Sequence, residues 1–195
     1  MADADAILAP KRAAERIRDV ARELFYRQGI RAVGVDEIVT RAGVTKPSLY
    51  RSFASKDALA AAYVAQYHAE FAARFEAVIA AHPGDPAAGV VAWFESLAER
   101  AASKAWRGCG VSNAAVEYPE AGHPARTVAE TAKAEVRARL RVLCRDMAAR
   151  DPDDLADALM LLMEGCYLTR QLFPDDGPIK AAASAAKALI RAHTA

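Results

Sequence analysis

Side chains able to contact nucleic acid are concentrated between positions 45 and 51. The segment TKPSLYR carries two aliphatic hydroxyls, one phenol and two cations. Such groups hydrogen-bond to phosphate oxygens and to acceptor atoms on base edges. The spacing predicts that they share the outer face of one short helix: Thr45, Lys46, Ser48, Tyr50 and Arg51. The alternative is a helical hairpin whose polar face is only solvated, and the pattern favours DNA binding over it.

A second set of reactive side chains comprises Cys109, Glu117 and His123. A thiol, an acid and an imidazole are the groups of a thiol hydrolase, but their spacing matches no catalytic motif of that kind. We therefore do not expect an enzyme. Cys109 also lies near Arg107, and a neighbouring cation favours a reactive thiolate, which leaves a redox-sensing regulator open. A small buried residue is the favoured alternative for Cys109, since free cysteines are usually buried.

Two short helices joined by a tight turn must position the polar segment. Gly43 is predicted to end the first helix and Thr45 to cap the second. Apolar residues at helical spacing would turn inward from both: Ile38, Val39, Ala42, Leu49 and Phe53. Such a pair with a glycine in its turn is typical of the helix-turn-helix, whose second helix enters the major groove of DNA.

The rest of the chain predicts an all-α protein of about nine helices. Alanine supplies many of the apolar residues and is the best helix former. One amphipathic helix precedes the pair, and its predicted apolar stripe is Ile17, Val20, Ala21, Leu24 and Phe25. Ser55 is predicted to cap a long fourth helix that has rings at a spacing of four. The remaining helices are predicted at about 86–106, near 112–117, along 128–147, from Asp151 onward, and over 178–193.

Charge and composition narrow the class of protein further. Residues 1–56 hold 11 Lys or Arg against 7 Asp or Glu, whereas residues 57–195 hold 15 against 18. A basic first quarter is consistent with nucleic-acid binding. The first residues lack the basic start and apolar core of a signal peptide, so we expect a cytoplasmic protein. The three scattered cysteines predict neither a disulfide framework nor a zinc site, and we expect no cofactor.

A set of apolar and glycine positions recurs in register between Arg16 and about Tyr63. Its members are Ala21 to Phe25, Gly29, the helix from Ile38 to Ala42, Gly43-Val44, Leu49-Tyr50, Phe53, Lys56 and Leu59. In these residues the sequence resembles the TetR family of bacterial transcriptional regulators. The resemblance implies a three-helix DNA-binding domain, here 1–56, and a helical effector-binding and dimerisation domain, here 57–195. It also implies a homodimeric repressor that binds double-stranded operator DNA and releases it when a small molecule binds.

The same resemblance assigns roles by position. It implies backbone contacts for Thr45 and Tyr50, and base contacts for Lys46, Pro47 and Ser48. Lys56 would hold a phosphate at the start of the fourth helix. Two positions depart from the family pattern, because Ser52 replaces a large ring and Val35 lacks a hydroxyl. Each departure puts one backbone contact in doubt.

The helices after position 57 contain more aromatic rings than an alanine-rich bundle needs. Ligand pockets often lie between the helices of a bundle. We therefore predict an effector pocket between the fourth, fifth, seventh and eighth helices, with segment 106–126 as its lid or floor. Its expected lining is Tyr67, Phe71, Trp93, Phe94, Trp106, Cys109, Asn113, Glu117, His123 and Tyr167. For any single residue of this set, core packing or helix capping is the alternative.

The last two helices each have a face of small apolar residues. These faces are Ala158, Leu159, Leu162 and Cys166 on one helix, and Ala182, Ala183, Ala186 and Ile190 on the other. Small residues let helices approach closely, so the two helices of each protomer are predicted to form a four-helix dimer interface. The alternative is that both faces pack within one protomer.

Overall fold

The computed structural model describes residues 11–194, which form nine α-helices and no strand. They are α1 (Ala13–Gln28), α2 (Val35–Ala42), α3 (Lys46–Ser52), α4 (Lys56–Ala80), α5 (Pro86–Ala101), α6 (Gly110–Glu117), α7 (Pro124–Asp146), α8 (Pro152–Leu172) and α9 (Ala182–Thr194). A short 3₁₀ helix, Pro178–Ala181, leads into α9. The prediction of an all-α fold with about nine helices is confirmed.

Short polar side chains start four of these helices. Each accepts a hydrogen bond of 2.9–3.3 Å from the backbone N–H three residues later: Thr45, Ser55, Asp85 and Asp151. Such caps satisfy donors that have no partner inside the helix. The predicted caps at Thr45 and Ser55 are confirmed.

The first three helices pack around one apolar core. In α1, the buried residues are Ile17, Ala21, Leu24 and Phe25, which is the predicted stripe except for the partly buried Val20. Helices α2 and α3 contribute Ile38, Val39, Ala42 and Leu49. Helix α1 also packs against α4, so the three-helix unit is joined to the rest of the chain along the start of the long fourth helix.

The larger core lies among α4, α5, α7, α8 and α9. Trp93 of α5 meets Phe71 and Phe75 of α4 edge to face, with ring centroids 5.2 and 5.1 Å apart. Trp93 and Phe94 are each only 1% exposed. Edge-to-face contacts contribute about 0.5–1.5 kcal/mol beyond the burial of area, so these rings hold α4 and α5 together.

The sequence predicted that helix α5 ends near Trp106, but the helix ends at Ala101. Ser103 explains the early end, because its hydroxyl accepts a hydrogen bond from the Ala105 N–H at 3.2 Å. Its carbonyl accepts another from the Trp106 N–H at 3.0 Å. Local bonds of this kind compete with the helix.

None of the helices described between residues 11 and 194 combines the length and the apolar character needed to span a bilayer.

Candidate DNA-contacting surface and effector cavity

The N-terminal half of α3 presents a polar face to solvent. Thr45, Lys46, Pro47, Tyr50 and Arg51 are exposed, and Ser48 is partly buried. Leu49, on the opposite side, is completely buried. The side chains predicted to face DNA are therefore free to approach another molecule, while α3 is anchored from behind.

Gly43 shapes the turn that sets the angle of α3. It adopts the left-handed conformation, with φ 61° and ψ 42°, which costs a residue with a Cβ about 1–2 kcal/mol. The Val44 N–H bonds to the Val39 carbonyl at 3.0 Å, and the Arg16 guanidinium donates to the Gly43 carbonyl at 3.3 Å. The turn is thus held by α2 on one side and by α1 on the other.

Lys46 has a partner in the absence of DNA. Its ammonium lies 2.7 Å from the Asp36 carboxylate of α2, and both side chains are exposed. The hydrogen bond to Asp36 raises the pKa of Lys46. A contact between Lys46 and a DNA base must therefore compete with, or share, this surface ion pair.

Lys56, at the start of α4, is partly buried and donates to the Arg31 carbonyl at 3.3 Å. Burial lowers the pKa of this ammonium. Its bond to Arg31 fixes the loop between α1 and α2. A lysine has three donor hydrogens, so two remain for the phosphate that the sequence predicted.

The same loop is held from α6. One Glu117 carboxylate oxygen accepts the Arg31 N–H at 2.8 Å, and the Arg31 guanidinium reaches Glu120 at 3.2 Å. Arg31 also lies over the Tyr118 ring, 5.2 Å from its centroid. His123 stacks on Tyr118, with ring centroids 3.8 Å apart. These residues form a junction, defined here as Arg31, Glu117, Tyr118, Glu120 and His123, between the three-helix unit and α6.

An open cavity of about 700 Å³ lies between α1, α4, the end of α5, the segment after it, and α8. Four of the predicted lining residues meet there: Tyr67, Phe71, Trp106 and Tyr167. Helix α1 forms the remaining wall with Tyr26 and several charged residues. Helix α7 was predicted to form part of this wall, but none of its residues lines the cavity.

The other predicted lining residues lie elsewhere. Trp93 and Phe94 fill the core, because the rings of α4 and α5 interlock there. The Asn113 amide donates to the Arg107 carbonyl at 2.8 Å. Glu117 and His123 belong to the junction. Glu117 accepts the Arg31 N–H in the loop after α1. His123 stacks on Tyr118 and lies 3.4 Å from the Asp57 carboxylate of α4.

Two tyrosines join the cavity wall at a single carbonyl. The hydroxyls of Tyr26 in α1 and Tyr67 in α4 both donate to the Gly108 carbonyl, each at 3.2 Å. Tyr26 also accepts the Arg107 N–H at 2.9 Å. Burial raises the pKa of both phenols, so they stay protonated and remain donors. The segment around Gly108 is thereby tied to α1.

Comparison with known proteins decides the family. Residues 17–63 match the model of the bacterial regulatory proteins of the tetR family. The structure aligns with a TetR transcriptional regulator from Streptomyces avermitilis at a TM-score of 0.84 and 30% identity, over 94% of this chain and 98% of the other. The chain belongs to the TetR family.

Two further relatives agree with this TetR-family assignment. The regulator SCO4454 from Streptomyces coelicolor aligns with a TM-score of 0.84 and 26% identity, over 94% of this chain and 96% of the other. The transcriptional repressor ComR of Escherichia coli K12 is 26% identical over 159 residues, 77% of this chain and 76% of its own. The family consists of DNA-binding transcriptional regulators that act as dimers, not of enzymes.

Cys109 of this TetR-family protein has no catalytic surroundings. It is 3% exposed, and its sulfur accepts a hydrogen bond from the Lys133 ammonium at 3.4 Å. Lys133 is also paired with Glu164, which in turn accepts from the Ser112 hydroxyl at 2.7 Å. The acid and imidazole of the thiol-hydrolase alternative are both in the junction, so they do not join Cys109.

Nine residues that line the cavity were not in the predicted set, and among them are Arg22, Tyr26, Arg74 and Arg100. Arg22 and Tyr26 belong to α1, which was predicted to belong wholly to the DNA-binding domain. Arg74 and Arg100 lie within helices that are rich in aromatic rings, and this position could have marked them as cavity residues. These four side chains converge because α1 packs on α4. The spacing of residues along the sequence does not define that packing.

Proposed function

We propose that this protein is a ligand-responsive repressor that binds operator DNA through the exposed face of α3. The observation that carries the proposal is the arrangement of α3, whose polar residues face solvent while Leu49 is completely buried. Thr45 and Tyr50 would contact the DNA backbone, and Lys46, Pro47 and Ser48 would contact bases. Arg51 and Lys56 would add phosphate contacts, which strengthen binding to every sequence.

Repression and release are supported by two observations. The relative ComR, which matches over 77% of this chain, is a transcriptional repressor. The cavity has a volume within the range of about 300–1,000 Å³ that is usual for small-molecule sites. We assign the effector to this cavity, lined by Tyr67, Phe71, Trp106 and Tyr167, and the division between the two domains to the start of α4, after residue 56.

Coupling between effector and operator would follow two contacts described above. Helix α1 contributes Tyr26 to the cavity wall, and the same helix holds the turn before α3 through Arg16. The junction links α6 to the loop before α2 through Glu117 and Arg31. A ligand that favours one arrangement of these contacts shifts the population away from the DNA-binding arrangement. A coupling of about 1–3 kcal/mol is typical for such systems.

The dimer interface of this family member is assigned to α8, one of the two helices predicted to form it. The small-residue faces predicted for it are largely buried inside the protomer, since Leu159, Cys166, Ala182, Ala186 and Ile190 are all buried. A different stripe of α8 is exposed: Leu161, Leu168 and Leu172, with fractional exposures of 74%, 59% and 64%. These residues are seven and four positions apart and share one helix face. An exposed apolar row of this kind supports an interface with a second copy.

A redox-sensing regulator is the second candidate. It is favoured only by the hydrogen bond from Lys133 to Cys109, because a lysine ammonium stabilises a thiolate. The 3% exposure of Cys109 opposes it, since an oxidant has little access to the sulfur. The effector-binding repressor is therefore the stronger proposal.

Gel-shift titration with the DNA upstream of the protein's own gene tests the operator assignment. Lys46→Ala should alter the preference among operator variants, whereas Arg51→Ala should weaken binding to all sequences alike and reduce its salt dependence. Arg145→Ala, on the far end of α7, removes the same charge outside the proposed surface and serves as the control. If neither the wild type nor the control bound any duplex at low salt, the proposal would be wrong.

A further inference from the structure

The charges around the cavity do not balance. Five cations line it, namely Lys11, Arg22, Arg27, Arg74 and Arg100, against the two carboxylates Asp19 and Glu23. Three of the cations are paired: Lys11 with Asp19 at 2.6 Å, Arg27 with Glu23 at 3.7 Å, and Arg22 with Glu70 at 2.5 Å. Arg74 and Arg100 form no ion pair within residues 11–194. Two positive charges therefore face the cavity without a counter-charge from the described chain.

Arg100 is the more enclosed of the two. Its guanidinium lies 4.9 Å from the centre of the Trp93 ring, and its buried Nε has no hydrogen-bond acceptor in the described part of the chain. Burial lowers the pKa of this guanidinium, and the charge of Arg74 adds to the lowering. An arginine stays charged in proteins, so this cation has no counter-charge among residues 11–194. Such a charge is costly unless an anion joins it.

The walls beside these arginines are flat. Trp106 and Tyr167 stack with ring centroids 5.9 Å apart and planes inclined by 27°. Tyr26 and Tyr67 stack at 5.9 Å and 24°, and both hydroxyls donate to the Gly108 carbonyl. Aromatic faces of this kind accept another ring in an offset stack. Among the described residues, the buried Trp106 Nε1 also has no acceptor, and Trp106 lines the same cavity as Arg100.

We propose that the cavity binds an aromatic oxyanion, such as an aromatic carboxylate, whose charged group pairs with Arg100 and Arg74. The proposal rests on the assignment of the effector to this cavity and names the chemical class of that effector. The ring system lies against Trp106, Tyr167 and Tyr67, and the oxyanion takes the bidentate geometry that suits a guanidinium. A neutral aromatic of equal size would leave both guanidinium groups without a partner.

Two fluorescent probes with the same rings test this inference on the full-length dimer. 8-Anilino-1-naphthalenesulfonate carries an oxyanion, and N-phenyl-1-naphthylamine is the same molecule without it. Arg100→Gln should weaken binding of the sulfonate by roughly 10–100-fold, the range expected for a charged hydrogen bond. The same substitution should change binding of the neutral probe by less than about twofold.

Two further variants keep the result interpretable. Arg145→Gln removes a charge of the same kind outside the cavity and should change neither affinity. Arg74→Gln, at an exposed position, should weaken the sulfonate alone, and it decides the question if Arg100→Gln fails to fold in a melting experiment. The inference is overturned if the folded variants bind both probes as the wild type does, or if they weaken both probes equally.

Operator release separates this inference from the proposed function. If the sulfonate depends on Arg100 but neither probe releases operator at saturation, the anion site stands and its role as the effector site fails. If the neutral probe releases operator at the same occupancy and with the same affinity as the sulfonate, the effector site stands and the preference for an anion is overturned.

Discussion

Tyr26→Phe isolates the hydrogen bonds that connect α1 to the cavity wall. The substitution removes one hydroxyl and keeps the ring, so the stacking on Tyr67 is preserved. The lost hydroxyl accepts the Arg107 N–H at 2.9 Å and donates to the Gly108 carbonyl at 3.2 Å. Each bond contributes about 0.5–1.5 kcal/mol in net terms. The expected loss in the free energy of unfolding is therefore about 1–3 kcal/mol.

Tyr67→Phe is the matched control, because its hydroxyl donates to the same Gly108 carbonyl but makes no bond to Arg107. It should cost only about 0.5–1.5 kcal/mol. Urea unfolding followed by circular dichroism, at one fixed protein concentration, measures both losses. Tyr26→Phe should also reduce the change in operator affinity caused by a cavity ligand, since it loosens α1 from the wall.

The refuting result is an equal loss of stability in the two variants. If Tyr67→Phe destabilised the protein as much as Tyr26→Phe, the bond between Tyr26 and the Arg107 N–H would contribute nothing. If Tyr26→Phe lowered stability and left the coupling between ligand and operator intact, the route through α1 would be wrong. The junction at Glu117 would then be the remaining route.

Three further outcomes are expected. Leu168→Glu places a charge within the exposed leucine row of α8 and should yield monomers in sedimentation at micromolar concentration, with weaker operator binding; an intact dimer would argue against the α8 interface. A hydrogen bond to the Leu189 carbonyl, followed by one to Asp154, raises the pKa of His193, so its stabilisation is complete below the unfolded value of about 6.5 and is lost as pH rises through the folded pKa. The melting temperature should thus fall between pH 6 and pH 8 more in the wild type than in His193→Gln, and equal falls would contradict this. Cys109→Ser should release operator under peroxide as the wild type does, and a loss of peroxide-driven release in this variant alone would favour the redox-sensing candidate.

The helix-turn-helix was predictable because its information is local. The turn after α2 needs a residue in the left-handed conformation, and Gly43 supplies it. Thr45 caps the next helix, and the spacing of apolar residues selects the buried side of each short helix. All of these signals lie within a few residues of the structure they specify. The exposed residues of α3 followed from the same spacing, since a helix with Leu49 inward must turn Tyr50 and Arg51 outward.

The cavity to which we assign the effector was only partly predictable, because it is built from contacts between distant segments. Ring-rich helices predicted a pocket, and four residues of its predicted lining meet in one cavity: Tyr67, Phe71, Trp106 and Tyr167. The sequence does not encode locally that Glu117 lies against the backbone of Arg31, 86 positions away. It gave no local sign either that α1 closes the cavity. The early end of α5 was missed for another reason, since Ser103 breaks a helix only by a side-chain bond that propensity does not weigh.

The contribution of α1 to the cavity wall limits how this protein can be divided and recombined. A chimera that joined residues 57–195 to the first three helices of another regulator would keep the rings of α4 and α8 but replace Tyr26, Arg22 and Asp19. Under the proposed roles of the cavity and of α3, ligand selectivity in such a hybrid would change along with operator preference. Engineering a new sensor from this chain therefore requires that the inner face of α1 be transplanted with the cavity, while α2 and α3 are exchanged.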